Sequence, residues 1–319
     1  MFRPLFASAL TVLAAGTARA QARPAAPDSA TRRAMALSYL RVELANRDHP
    51  IAADRLGPLN QAFDHATLAF FSGQYQAVIS SLDSVAAAIE VDTAIARTHR
   101  TEAAAALDHP AGEPHTVTMP DGTSFPYRLY RPKKPAKDAP IVVALHGAGT
   151  DEKAFMISYG AGKLRLLADQ RGFVLVTPFT NAVIGSPEKF DRLLDDVATV
   201  AKFDRTRLFL IGHSLGAAAA WRFAQDRASA IRAVVCLAGA GPITATKEAA
   251  SGLPRTVVIG ASVDLVVPPA RLKPAVDAAN ALGWPIEYRE LANQGHTLMV
   301  GAALDQAMDW FFPPQKKVN

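Results

Sequence analysis

The sequence predicts an α/β protein: a mostly parallel, eight-stranded sheet covered by helices and preceded by a small helical region. Three observations carry this. Between residues 29 and 110 apolar residues recur at three- and four-residue steps. From about Glu113 short extended runs with turn signals replace that pattern. From Ile141 onward, nearly unbroken apolar runs alternate with helix-compatible segments, which is how strands buried on both faces of a parallel sheet look.

The first twenty residues carry Arg3, an apolar stretch from Leu5 to Ala15 and the small-x-small triplet Ala18-Arg19-Ala20. They read as a secretory signal peptide cleaved after Ala20, because the apolar stretch is well short of the roughly 20 residues a membrane span needs. With no twin arginine and no cysteine at a lipidation position, the expectation is a secreted or periplasmic protein with no stable membrane anchor. Residues 21–28 form an alanine- and proline-containing linker.

A first helix, capped by Asp28 or Ser29, carries Leu37, Leu40 and Leu44 and stops at Asp48-His49-Pro50. A second opens at Pro58, carries Leu59, Phe63, Leu68 and Phe71, and closes at Gly73. The third is the most regular, with Tyr75, Val78, Ile79, Leu82, Val85 and Ile89 on one face. The stretch from Ala66 to Leu82 resembles a single tetratricopeptide hairpin. With no second copy in the chain it reads as an ordinary helical hairpin docked on the main domain. Residues 92–109 fit either a fourth helix or a linker.

The main domain spans residues 113–312, with a short tail at 313–319. Its expected strands are His115–Met119, Ser124–Tyr130, Ile141–Leu145, Phe173–Thr177, Leu208–Ile211, Ala233–Leu237, Thr256–Ile259 and Ile286–Glu290. Helices are expected near Lys153–Gln170, Pro187–Val200, Ala217–Asp226, Pro269–Leu282 and Gly301–Phe311.

The chain has 34 Lys and Arg against 29 Asp and Glu, a formal charge of +5. Removing residues 1–20 takes away Arg3 and Arg19 but no acid, leaving +3. The basic residues are scattered, which argues against nucleic acid as a partner. Cys236 has no partner for a bridge and sits in an apolar run, so it reads as a buried strand residue, and stability must come from a core.

Gly212-His213-Ser214-Leu215-Gly216 lies between the run Arg207–Ile211 and the helix-forming stretch from Ala217 to Phe223. A G-x-S-x-G pentapeptide between a strand and a helix reads as a nucleophile elbow, whose turn is too tight for side chains at the glycine positions. A helix that begins at the serine aims free N–H groups at the place where an oxyanion would form. With Leu145-His146-Gly147-Ala148-Gly149, the segment Gly260–Pro268 and Gln294-Gly295-His296, this pentapeptide resembles the α/β-hydrolase superfamily over roughly residues 113–312. Residues 167–178 are similar to the corresponding stretch of secreted or periplasmic carboxylesterases, including feruloyl esterases, polyhydroxyalkanoate depolymerases and phospholipase/carboxylesterase-like members.

The resemblance implies an α/β-hydrolase fold and a serine, acid, histidine order. Ser214 is the candidate nucleophile. His296 is the candidate base, since it alone among the eight histidines sits in a glycine-bearing loop between the last strand and a terminal helix. Asp264 is the candidate acid, at the carboxyl end of a strand. Backbone N–H groups of Ala148 and Leu215 are the candidate oxyanion hole. His213 is expected to point away from the hydroxyl, and His146 to hold the glycine loop. His49, His65, His99, His109 and His115 are expected to face solvent.

Phosphate-cradling and metal-binding patterns are missing from the sequence, so no cofactor and no metal is expected. The expected activity is carboxylic-ester hydrolysis through an acyl-enzyme, on a small-molecule or polymer ester. A serine peptidase of the prolyl-oligopeptidase type, or an inert binder that engages a protein partner through the helical region, are the other readings. The interval from Gly239 to Pro254 is too short for a large lid, so the site is open unless the N-terminal helices cover its mouth, a choice the sequence leaves undecided.

Overall fold

A computed structural model describes residues 25–313. The expected signal peptide, linker residues 21–24 and tail residues 314–319 lie outside the described residues. Four helices come first: α1 (Ser29–Asp48), α2 (Ala53–Phe71), α3 (Tyr75–Ile89) and α4 (Thr93–Asp108). The Asp28 carboxylate caps α1 by accepting from the Thr31 N–H at 2.7 Å. Residues 92–109 are resolved in favour of a helix, because Asp92 accepts from both the Ala94 and Ile95 N–H groups at 2.8 Å. Helix α2 starts at Ala53, earlier than the expected opening at Pro58. So near the N-terminus, the missing proline N–H leaves only one carbonyl of the first turn without its partner.

The strands β1 (Glu113–Thr118), β2 (Ser124–Tyr130) and β3 (Ile141–Leu145) follow. The single helix expected over 153–170 is instead broken into a π turn (Ala154–Ser158), a 3₁₀ turn (Tyr159–Gly162) and α5 (Lys163–Arg171). Gly160, Ala161 and Gly162 there take φ of 57, 53 and 77°. A Cβ on Gly160 would lie 2.9 Å from the Gly301 Cα, so the break lets two backbones touch. It also turns Tyr159 inward.

The remaining elements are β4 (Val174–Pro178), the short α6 (Thr180–Val183), α7 (Pro187–Val200), β5 (Leu208–His213), α8 (Leu215–Asp226), β6 (Ile231–Leu237), the short α9 (Lys247–Ala250), β7 (Arg255–Ala261), α10 (Pro269–Leu282), β8 (Ile286–Leu291) and α11 (Met299–Phe311). One eight-stranded sheet runs β1-β2-β4-β3-β5-β6-β7-β8. β2 pairs antiparallel with β1 and β4, and every later pairing is parallel.

Alternate residues of the central strands feed two separate cores. Ile141, Val143 and Leu145 of β3, with Leu208 and Leu210 of β5, pack with Phe190, Trp221 and Trp284 on one face. Val142, Ala144, Phe209 and Ile211 pack on the other with Phe155, Leu164, Met308 and Phe311. Leu40 and Leu44 of α1 join this second core, while Met35, Val42 and Ala45 of α1 join Phe63, Val78, Leu82 and Leu298 in a third. Helix α1 is therefore apolar on two sides and ties the helical region to the sheet. Each fully buried Leu or Phe contributes about 1.5–3 kcal/mol relative to exposure.

The expectation that the five histidines of the helical region and its junction face solvent holds for His65 and His109 but needs correction at three others. His99 is buried, not solvent-facing, between Glu90 at 3.1 Å and Asp48 at 3.3 Å. Arg41 closes this network through Glu90 at 2.9 Å, so the buried polar groups satisfy one another. His49 and His115 are half-buried. Cys236 is fully buried on β6, and burial raises its thiol well above the usual range. Among the described residues no helix is long and apolar enough to cross a membrane.

Candidate active site

Strand β5 ends at His213 and α8 begins at Leu215, which leaves Ser214 as the whole of the turn. Its φ of 53° is strained for a residue with a Cβ. The close approach depends on three glycines. A Cβ on Gly212 would meet the Gly216 carbonyl oxygen at 2.1 Å, one on Gly216 would meet the Leu145 oxygen at 1.9 Å, and one on Gly239 would meet the Ser214 oxygen at 2.6 Å. The first two are legible as the pentapeptide; Gly239, distant in sequence, is not.

Ser214, His296 and Asp264 converge from three loops. The Ser214 Oγ lies 3.0 Å from His296 Nε2, and His296 Nδ1 lies 2.8 Å from Asp264 Oδ2. A carboxylate only accepts, so the proton of neutral His296 sits on Nδ1 and the Nε2 lone pair faces the hydroxyl. The other Asp264 oxygen accepts from the Val266 and Val267 N–H groups, both at 2.7 Å. His296 and Asp264 are buried, whereas Ser214 is partly exposed.

The peptide of His296 is gripped from both sides. Its carbonyl accepts from His213 Nε2 at 3.0 Å, which fixes the His213 proton on that nitrogen. His213 Nδ1 then accepts from the Tyr159 hydroxyl at 2.9 Å, and that hydroxyl accepts from the Gly147 N–H at 3.2 Å. Burial holds His213 well below the usual histidine range, so it stays neutral in this chain of bonds. On the other side, the His296 N–H donates to the Asp64 carboxylate at 2.9 Å, and the Gly295 N–H donates to Asn60 Oδ1 at 2.7 Å.

His146 holds the glycine loop, as its position suggested. Its Nδ1 donates to the Gly147 carbonyl at 2.8 Å and its Nε2 accepts from the Thr180 N–H at 3.0 Å. Burial pushes its pKa down to about 4, so it too is neutral. The loop places Ala148 on the wall of a cavity beside Ser214 and His296, while Leu215 heads α8 next to the hydroxyl. Gly149 takes φ of 85° and lies so close to Phe70 that a Cβ would be 2.4 Å from its ring.

That cavity, about 650 Å³, is roofed by the N-terminal helices. Met35 and Tyr39 of α1, Phe63, Phe70 and Phe71 of α2 and Leu82 of α3 face Ser214 and His296 across it. Of the two possibilities left by the sequence, the cover comes from the N-terminal helices, and no residue of the interval 239–254 lines the cavity. Asn60, Asp64, Tyr159 and the roofing aromatics were missed by sequence reasoning. The one signal for the first two is an amide and an acid one helical turn apart on the Phe63 side of α2, where solvent-facing polar residues do not belong. Among the described residues no group of three or more His, Cys, Asp or Glu side chains is placed to hold a metal ion.

The comparisons with known proteins agree with this architecture. No curated protein matches the sequence. Among solved structures, a thermostable esterase is similar at a TM-score of 0.51 and 20% identity, over 63% of this chain and 62% of that one. The chain thus spans less than two thirds of that esterase's length. A fluorophosphonate-binding serine hydrolase of Staphylococcus aureus is similar at 0.54 and 14% identity, over 64% of this chain and 99% of the other. The feruloyl esterase module from Clostridium thermocellum, complexed with sinapinate, is similar at 0.52 and 15% identity, over 66% of this chain and 91% of that module. At these identities the likeness concerns the fold. A family model matches residues 142–316, from β3 past the end of α11, and the chain belongs to the alpha/beta hydrolase family.

Proposed function

We propose that this chain is an exported serine hydrolase that cleaves carboxylic esters through an acyl-enzyme intermediate. The observation that carries this is the continuous line from the Ser214 hydroxyl through His296 to the buried Asp264, opening on a cavity. His296 Nε2 takes the serine proton as Oγ attacks the ester carbonyl, and Asp264 stabilises the imidazolium that results. The Ala148 and Leu215 N–H groups receive the developing oxyanion, each contributing roughly 10²–10³ in turnover. His296 then protonates the leaving alcohol. A water activated by the same nitrogen hydrolyses the acyl-serine and restores the enzyme.

The roof narrows the substrate class. A mostly apolar cavity of about 650 Å³ suits a compact apolar acyl or alcohol group presented from solution, as a small molecule or as the end of a polymer. Helices α1, α2 and α3 flank the approach to Ser214, which favours a substrate that enters the cavity over a flat lipid surface. Part of the apolar face of α1, α2 and α3 lines the cavity and the third core, which supports a role for these helices at the site.

The test is a panel of p-nitrophenyl esters, feruloyl esters and peptide amides, with fluorophosphonate labelling mapped by mass spectrometry. Ester turnover and labelling at Ser214 are expected. Ser214→Ala and His296→Ala should each lower turnover by about three to six orders of magnitude, with little further loss in combination. Near-normal ester turnover in Ser214→Ala would discard the mechanism, and a preference for amides would give the prolyl-oligopeptidase-type reading instead. Export is tested by sequencing the N-terminus of the released protein, expected to begin at Gln21.

A further inference from the structure

We infer that Asp64 and Asn60 of α2 are positioning residues for the hydrolytic site: they hold the His296 loop and the Asp264 loop in mutual register. The inference rests on the serine-hydrolase reading above and adds to it a dependence on the helical region. The two residues lie one helical turn apart and are both buried. Asn60 Oδ1 accepts from the Gly295 N–H at 2.7 Å. The Asp64 carboxylate accepts from the His296 N–H at 2.9 Å and, through Oδ2, from the Leu265 N–H at 3.0 Å. One carboxylate therefore binds the backbone of the candidate base and of the residue after the candidate acid, over 200 positions away in sequence.

The other side of the contact is equally specific. Gly295 approaches so closely that a Cβ there would sit 2.9 and 3.0 Å from the two Asp64 oxygens and 2.9 Å from the Asn60 carbonyl. The anchoring of Asn60 is itself fixed, since its Nδ2 donates to the Leu56 carbonyl at 2.9 Å. A side chain kept only for packing would not need to be ionisable here. Burial raises the Asp64 pKa to about 6, and the nearby Asp264 adds to the rise, while the backbone donors and His296 oppose it. Above that pH the carboxylate is charged despite its burial, with its acceptor oxygens available to the loop N–H groups.

Two effects on turnover follow. Loosening the loops moves His296 Nε2 off the Ser214 hydroxyl, and misplacement of this kind costs up to about 10²-fold. Loss of the Asp64 charge also removes an attraction for the imidazolium that forms in each half-reaction. Neither effect touches the cavity wall that binds substrate.

The test uses the full exported chain, with Asp64→Asn and, from the loop side, Gly295→Ala. The measurements are kcat and KM for a soluble p-nitrophenyl ester from pH 5 to 9, circular dichroism, and the rate of Ser214 labelling by a fluorophosphonate. For Asp64→Asn the expected result is a drop in kcat of about 10- to 100-fold with KM within about threefold, in a chain folded like the wild type. Because protonation of Asp64 below about pH 6 removes the same charge as the substitution, the kcat advantage of the wild type over Asp64→Asn should shrink on the acid side of the profile. Gly295→Ala leaves α2 intact and should show the same loss confined to kcat, which decides the matter if Asp64→Asn does not fold. Wild-type kcat in a folded Asp64→Asn, or in Gly295→Ala, overturns the inference while leaving the hydrolase reading in place. Failure of wild-type Ser214 to label overturns the hydrolase reading itself.

Discussion

Tyr159→Phe removes one oxygen that links the glycine loop to the histidine pair. Tyr159 is 1% exposed, and its hydroxyl accepts from the Gly147 N–H at 3.2 Å while donating to His213 Nδ1 at 2.9 Å. Phenylalanine keeps the ring and its edge-on contact with Phe155, so packing is preserved and the change isolates the two hydrogen bonds. Each buried group left without a partner costs about 1–3 kcal/mol, so the pair sums to about 2–5 kcal/mol once some relaxation is allowed. At roughly 2–3 °C per kcal/mol for a chain of this size, the melting temperature should fall by about 4–15 °C. The activity loss should be smaller than that of a deleted oxyanion donor, about 10-fold against 10²–10³, because Gly147 keeps the His146 and Thr150 bonds to its carbonyl. The assay is thermal unfolding together with p-nitrophenyl ester kinetics. Unchanged melting and unchanged kcat would show that neither His213 nor Gly147 depends on the phenol, and the account of how His296 is held from that side would fail.

Three other predictions concern stability and access. The Glu43 carboxyl, buried and bonded to the Tyr39 hydroxyl and the Gly160 N–H, is raised from 4.5 to about 8. Its folded-state pKa lies above the unfolded one, so it favours folding at acid pH and loses that advantage as pH rises toward 8. Urea unfolding of Glu43→Gln should therefore gain on the wild type by about 2–3 kcal/mol between pH 6 and 9, and parallel curves would contradict the assignment. Gly149→Ala should impair both activity and stability. Adding Phe70→Ala relieves the ring contact but leaves the φ strain of about 1–2 kcal/mol, so rescue should be partial, and full rescue or none would each remove one of the two causes. Cys236 should resist thiol reagents in the native protein and react only at the rate of unfolding; rapid labelling would mean that β6 is open to solvent.

The parts of the fold that were legible in the sequence owe it to local chemistry. The strands from β3 to β7 read as unbroken apolar runs because their alternate residues feed two cores. Ser214, Asp264 and His296 were legible because each sits in a turn whose residues are dictated by geometry. The single helix expected across 153–170 failed because apolar periodicity cannot register a Gly160–Gly301 backbone contact made 141 residues away. The fourth helix was ambiguous because Ala103 to Ala106 give a helix without a distinct face.

Asn60, Asp64 and the roofing aromatics were illegible for a different reason. A polar pair on a helix has solvent as its ordinary neighbour, and only the tertiary fold replaces solvent with the backbone of residues 265, 295 and 296. The helical region is thus not an appendage to a complete hydrolase. It supplies the second core face of α1, the roof of the cavity and the grip on His296 together. A chain can keep every motif of the pentapeptide and its partners and still depend, for the alignment of those partners, on two side chains that no motif contains.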